Sequence, residues 1–299
     1  MESRQRIANR ISAVTLAGNA VLFIFKMLIG IMTKSTAVIS DAVHTFSDIF
    51  TTVLVVVGIR IAEKKEDEGH QYGHEKAEPI IATILSTILM ITALGIGYKG
   101  VQAIFEVVRG DTSHEAPGLS AVIITALSII FKESMYWYTV HGAKRIKSSS
   151  MLADAWHHRS DAFSSVGVLI GVIGARMGFY VLDPIMALVV CAIIIKVSVD
   201  IYKGAVNQLI DRSADNEEVL AIRGGIESIE GVKKIDVLKT RIHANRIYVD
   251  IEISVDGGLT LYEAHAIAEN VHDHVEGHFE NIKHCMVHVN PYTKEIDLV

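Results

Sequence analysis

Residues 40–62 read SDAVHTFSDIFTTVLVVVGIRIA, and residues 153–163 read ADAWHHRSDAF. Each places a histidine and an aspartate four residues apart in an otherwise apolar run, His44 with Asp48 and His157 with Asp161. Four residues is about 400° around a helix, so each pair occupies one face, one turn apart. An ionisable side chain at the centre of a bilayer-length helix costs about 3 kcal/mol or more and persists where it has a task. Together the pairs supply two imidazoles and two carboxylates, enough to close a tetrahedral shell around Zn2+.

The runs around these pairs, and four others, are long enough to cross a bilayer, which takes roughly 20 residues per helix. The expected spans are 8–31, 36–61, 79–107, 118–141, 151–177 and 183–206. The 299-residue chain is 50% hydrophobic, with mean hydropathy +0.36 and 4 prolines. A soluble domain would instead show short, alternating apolar runs. The first span follows Arg4, Arg6 and Arg10 with no small-residue cleavage site before the next, so it reads as a retained helix. Lys and Arg gather in that head, in the 62–78 connection (Lys64, Lys65, Lys76) and in 142–149 (Lys144, Arg145, Lys147). The alternate connections are poor in them. Both termini are therefore expected on the cytoplasmic side of a cell membrane.

Past residue 208 the character changes, which divides the chain into a membrane domain, 1–208, and a small soluble domain, 209–299. From Asp211 onward 9 Lys and Arg stand against 17 Asp and Glu, in a chain of net charge −6. An acidic tail offers no basic patch for nucleic acid. Cys191 and Cys285 lie in different regions and make no disulfide framework. Asn216 is expected to cap a helix running to about Ile229. Residues 232–242 and 246–256 alternate as half-buried strands, and HCMVHVN (284–290) alternates once more. Thr260 begins a second helix, with Glu263 placed to complete a capping box. The expected fold is thus an all-α six-helix membrane bundle followed by a two-layer α+β domain.

A lone His or Asp in a membrane helix often serves as interhelical hydrogen-bond glue. Two matched pairs on two helices are hard to explain that way. Imidazole and carboxylate suit Zn2+ and its neighbours, and H+ competes with metal for the same imidazole nitrogen near neutral pH. Asp41 and Asp154 admit an ion-guiding role or contacts that support the ligands, and helix-end solvation equally. His158 points about 100° away from the His157 face and reads as a cavity or interface residue. Ser40, Ser160 and Ser164 read as small packing residues. A membrane metalloenzyme would need a general base such as the Glu of H-E-x-x-H, which is absent, and Glu133 has no partner histidine at ligand spacing. No Walker motif is present, so ATP does not drive the process. A metal sensor without transport would leave the intramembrane pairs without a use.

Two further groups carry ligand chemistry. In EDEGHQYGHEKAE (66–78), Asp67, His70 and His74 recur at spacings of three and four, consistent equally with one metal ion or with a solvated loop. The tail holds seven of the 14 histidines, of which His272, His274 and His278 read as surface residues at a polar helix end.

The two H-x-x-x-D pairs on the second and fifth of six spans, the HQYGHEKAE loop and the acidic tail resemble the cation diffusion facilitator family over the whole chain. The resemblance implies a homodimeric M2+/H+ antiporter in the bilayer, with a ferredoxin-like, metallochaperone-like tail, exporting metal from the cytoplasm by alternating access. It places the transport site on His44, Asp48, His157 and Asp161, and a second site on Asp67, His70 and His74. It places a tail site on Asp236, Glu252, His265 and His288. Two of those positions are carboxylates where the family pattern has histidines, and Asn290 stands where it has an aspartate, so a weaker or mononuclear site is expected there. His44 at the first ligand position resembles the Zn2+-preferring pattern, with Cd2+, Co2+ and Fe2+ as further candidates. Manganese-type members lack the His/Asp set. Zn2+ is thus the expected substrate and the expected regulatory ligand, and the alternative is a metal-sensing membrane protein whose tail binds metal without net transport.

Overall fold

The computed structural model describes residues 4–33, 36–109, 119–176, 182–279 and 281–292. Six long helices come first: α1 (Arg4–Thr33), α2 (Thr36–Ala62), α3 (Ala77–Val108), α4 (Leu119–Arg145), α5 (Ser149–Arg176) and α6 (Leu182–Leu209). The shorter of them, at 27 residues, extend about 40 Å, enough to cross a bilayer. Within α1, α2, α3 and α6 the apolar stretch is itself long enough to span. α4 and α5 match them in length and carry further ionisable groups, Lys132 and Glu133 on one and Asp154, His157, His158, Arg159 and Asp161 on the other.

Burial is inverted relative to a soluble protein. Phe25, Ile31, Ile91, Leu94, Phe105 and Ile130 face outward, while Asn19, Lys26, Asp48, Lys132, Asp154, His157 and His158 are buried. An apolar exterior around a polar interior is what hydrocarbon solvent selects, because a charge facing lipid has nothing to pair with. At one end of the bundle Arg4 ties three elements. Its guanidinium meets Glu78 of α3 and lies 3.9 Å from Glu63, and its Nε donates to the Ile146 carbonyl at 3.0 Å. Around it Ile7, Ile11, Val55, Ile59, Leu85 and Met151 form a small apolar core.

The chain divides into two compact units, Met1–Val206 and Asn207–Val299. The second contains α7 (Asn216–Glu227), β1 (Lys234–His243), β2 (Arg246–Asp256), α8 (Leu261–His278) and β3 (Ile282–Tyr292). The sheet order is β1-β2-β3, with β1 antiparallel and β3 parallel to β2. A parallel neighbour needs a crossover, and α8 provides it. The two helices cover one face, where Ile222, Ile226, Val271 and Val275 meet Val249, Ile251 and Ile253 of the central strand. α7 begins one residue earlier than its sequence suggests, with Asp215 at the N-cap, and it ends at Glu227 rather than Ile229. Asn216, Glu217 and Glu218 thereby fall in the first turn, where the helix dipole favours the two carboxylates. The capping box at α8 forms as expected: Thr260 accepts from the Glu263 N–H, and the Glu263 carboxylate accepts from the Thr260 N–H at 2.8 Å. These contacts hold the Glu263 carboxyl below its ordinary value. The side chains of Ser40 and Asp41 lie outside the described residues.

Ile253 has no exposed surface and sits under both helices. Ile253→Ala is predicted to cost the tail about 2–5 kcal/mol through lost burial and the cavity left behind. A lowered thermal transition of the soluble unit, with the helical bundle unaffected, is the expected readout.

Candidate functional site

α2, α4 and α5 build the membrane site. The His44–Asp48 turn of α2 faces the His157–Asp161 turn of α5, and the pairs cross. His44 Nε2 lies 3.4 Å from Asp161 Oδ1, and His157 Nε2 lies 3.2 Å from Asp48 Oδ1. One ligand atom from each of His44, Asp48 and Asp161 falls within 4.8 Å of the other two, and His157 joins this set through Asp48. Asp48 and His157 are buried, whereas the His44 side chain is 50% exposed and forms the open end of the group.

A fifth residue holds the set together. Lys132, at the midpoint of α4, extends Nζ between the two carboxylates, 2.5 Å from Asp48 Oδ2 and 3.0 Å from Asp161 Oδ2. Its side chain is only 4% exposed. Lys132 has no histidine or carboxylate at ligand spacing in its own helix, so the sequence carries no local signal for it. The available signal was charge balance: two buried carboxylates need a counter-charge, and Lys132 is at the right depth in its helix.

The surroundings locate Asp154, His158, Ser160 and Ser164. Thr52 Oγ1 donates to Asp154 at 3.2 Å, and His158 Nε2 is 3.7 Å from Asp154 Oδ2. Asp154 is therefore a buried neighbour of the site and not a solvated helix end. His158 is fully buried and turned from the Asp48 side, as the 100° offset from His157 requires. Ser160 is buried, and Ser164 donates to its carbonyl oxygen at 3.0 Å. Arg159 was also unforeseen. Its guanidinium lies 4.2 Å from the Tyr136 ring centre and within 5.6 Å of Trp137, Trp156 and Phe163, a cation–π cage. It is also 3.5 Å from Glu133, to which Trp137 Nε1 donates at 2.9 Å. Glu133 is thus tied in an ion pair and is not a free base.

In the loop between α2 and α3, Asp67 is the hub. Its Oδ1 accepts the N–H groups of Gly69 and His70, at 3.1 and 2.8 Å. His70 Nδ1 lies 3.2 Å and His74 Nε2 lies 3.3 Å from its two oxygens, so all three residues can reach one ion. Lys64 Nζ, 2.6 Å away, and the His70 contacts hold the Asp67 carboxyl well below the usual carboxylate range.

The tail residues are gathered only in part. Asn290 Nδ2 donates to Asp236 at 3.3 Å and to Glu252 at 3.4 Å, and Ser254 also donates to Asp236. These bonds hold the Asp236 carboxyl down, and His288 lies across from Glu252 in the β2–β3 register. His265 is paired with Glu269 on its own helix at 3.4 Å. The amide of Asn290 thus fills the role between the two carboxylates that a cation would take. The surface reading of the α8 histidines needs correction at His272, which is half-buried and donates from Nδ1 to the Cys285 carbonyl at 2.8 Å. His274 and His278 stack on each other with ring centres 4.0 Å apart. Burial, with Glu276 and Asp250 nearby, pushes the Cys285 thiol up to about 12, so this cysteine behaves as a core residue.

Comparison with known proteins gives the family. The family described as "Cation efflux transmembrane domain" matches residues 12–210, and "Cation efflux protein, cytoplasmic domain" matches residues 214–292. The chain belongs to the cation diffusion facilitator family. It is a metal efflux transporter and not an enzyme, a multi-pass membrane protein with a small α+β tail. Among its relatives, the manganese efflux system protein MneP of Bacillus subtilis (strain 168) is 30% identical, over 98% of this chain and 99% of MneP. Metal tolerance protein 2 of Oryza sativa subsp. japonica is 33% identical, over 94% of this chain and 78% of that protein. A cadmium form of the MamM C-terminal domain, 29% identical, covers 26% of this chain and 96% of its own, with a TM-score of 0.25.

Because the Asp67 carboxyl is depressed in the folded loop, its contribution is complete above the ordinary carboxylate range and is lost only as pH falls through the lowered value. The Gly69 and His70 amides are predicted to stay protected from hydrogen exchange down to pH 4 or so, roughly the ordinary carboxylate value. Asp67→Asn is predicted to lose much of that protection at neutral pH.

Proposed function

We propose that this transporter exports Zn2+ from the cytoplasm in exchange for protons, through His44, Asp48, His157 and Asp161. The observation that carries the reading is the crossing of the two His/Asp pairs around a buried ammonium group. Two imidazoles and two carboxylates from separate helices make a four-ligand site, and imidazole favours Zn2+, Co2+, Cd2+ and Fe2+ over Mn2+. Each histidine nitrogen that binds metal must first give up its proton, so loading with metal and loading with H+ exclude each other. A site that alternates between the two, on helices that open to either side in turn, couples the fluxes.

Lys132 supplies positive charge to the carboxylates in the metal-free state, and an arriving M2+ takes the place of Nζ. The loop residues Asp67, His70 and His74 offer a second metal position near the cytoplasmic surface, with Lys64 in the corresponding counter-charge role. The organisation that fits this reading has both termini in the cytoplasm, a transport domain over 1–208, and a tail over 209–299 that pairs two protomers in the cell membrane. Asp236, Glu252, His265 and His288 form at most a weak regulatory site, given the Asn290 amide between the carboxylates.

A second reading, Mn2+ export, is favoured by the names of MneP and of MneS, also of Bacillus subtilis, the latter 32% identical over 93% of this chain. Carboxylate oxygens suit Mn2+, while the two imidazoles weigh toward Zn2+.

Zn2+ uptake into inside-out vesicles under an imposed pH gradient tests both readings. Asp48→Ala and Asp161→Ala are each predicted to cut uptake at least tenfold, and unchanged uptake in either would remove these residues from the site. In a competition series of Zn2+, Cd2+, Co2+, Fe2+ and Mn2+, Zn2+ is predicted to compete best. Mn2+ at the head of the series would replace the first reading with the second.

A further inference from the structure

In the tail, α8 and β3 bring together three side chains that lie outside the sites described so far. His272 and Glu276 stand one turn apart on α8, and His284 comes from β3. His272 Nε2 lies 3.4 Å and His284 Nδ1 lies 3.1 Å from the same oxygen, Glu276 Oε1. One ligand atom from each of the three residues falls within 4.8 Å of the others. For a tetrahedral ion bound at about 2.0–2.1 Å, neighbouring ligand atoms are roughly 3.3–3.4 Å apart. The observed separations already bracket that edge.

Such distances also suit plain hydrogen bonds, and the orientation of the rings is compatible with both. His272 Nδ1 is 2.8 Å from the Cys285 carbonyl oxygen, which can only accept, so Nδ1 carries the hydrogen. In the neutral ring Nε2 then presents a lone pair to a carboxylate oxygen. Two electron-rich atoms held facing each other call for a positive charge between them, supplied either by a proton on Nε2 or by a metal ion. Donation from the far ring nitrogen to a backbone carbonyl is also how a metal-bound imidazole is fixed in tautomer and direction. Glu276 is fixed from the same residue, since its Oε1 accepts the Cys285 N–H at 2.8 Å. The His284 ring is steadied by Tyr248, edge-on at 6.4 Å. One backbone unit, Cys285, therefore aims two ligands from the helix at the strand that bears the third.

We propose that His272, Glu276 and His284 form a Zn2+ site with three protein ligands and a fourth position open to water. Side-chain exposures of 36%, 31% and 49% leave the ion accessible and exchangeable. The site is separate from Asp236, Glu252 and His288, because His284 and His288 are four residues apart on β3, about 13 Å along the strand. A bound ion joins the C-terminal half of α8 to the start of β3, so that metal stiffens the tail within one protomer and needs no second copy.

The test is Zn2+ stoichiometry, by equilibrium dialysis and metal analysis, on the full-length transporter in detergent. His272→Gln, Glu276→Gln and His284→Gln are each expected to lose one Zn2+ per chain, and His288→Gln is expected to keep that ion. Hydrogen exchange of the wild-type protein provides a readout independent of any variant: Zn2+ is expected to slow exchange in residues 272–276 and 284–286. Full stoichiometry in His272→Gln and His284→Gln would overturn the proposal, as would wild-type exchange in those segments that does not respond to Zn2+.

Discussion

The positions of α2, α4 and α5 depend on one ammonium group placed between two carboxylates. Lys132 Nζ touches Asp48 and Asp161 with almost no solvent access, so neither carboxylate can be left without it or a substitute. Removing one partner of a buried ion pair typically costs about 3–5 kcal/mol, because the remaining charge is stranded. That constraint fixes the depth at which the three helices meet, and through Asp48 and Asp161 it fixes the directions of His157 and His44. It also defines what can replace the lysine: a proton on a ligand, or a divalent cation at the centre.

The loop between α2 and α3 repeats the arrangement at the surface. Lys64 meets Asp67, and His70 and His74 approach the same carboxylate. Here the ion pair is exposed and contributes little to stability by itself. The aspartate is positioned instead by the backbone N–H groups of Gly69 and His70. The tail uses neutral groups for the same end, with the Asn290 amide between two carboxylates and the Cys285 backbone orienting His272 and Glu276. From membrane to tail, each candidate acidic residue is held by a donor already present in the chain. In the proposed function, metal would exchange one partner for another and would not fill an unprepared gap.

The helices and strands were legible because their signals are local. Long apolar runs mark α1, α2, α3 and α6, two-residue alternation marks the strands, and Thr260 with Glu263 marks the start of α8. The His/Asp pairs were legible because four-residue spacing is a property of one helix. The partners that come from another element were not. Lys132 is separated from Asp48 by 84 positions and gives no periodic signal. Arg159 looks like an unpaired charge until Tyr136, Trp156 and Phe163 surround it. His272 looked like one of several surface histidines, since only the fold brings His284 beside it. His265 likewise has a partner within reach on its own helix, Glu269, one turn away.

The most direct measurement is the number of protons released per Zn2+ bound, taken from the buffer dependence of the binding enthalpy, in wild type and in Lys132→Gln. If the ammonium group balances the carboxylates until metal displaces it, its loss must be made good by proton uptake. Zn2+ should then expel about one more proton from the variant than from wild type. An identical proton count with identical affinity would contradict a counter-ion role for Lys132 at the metal site.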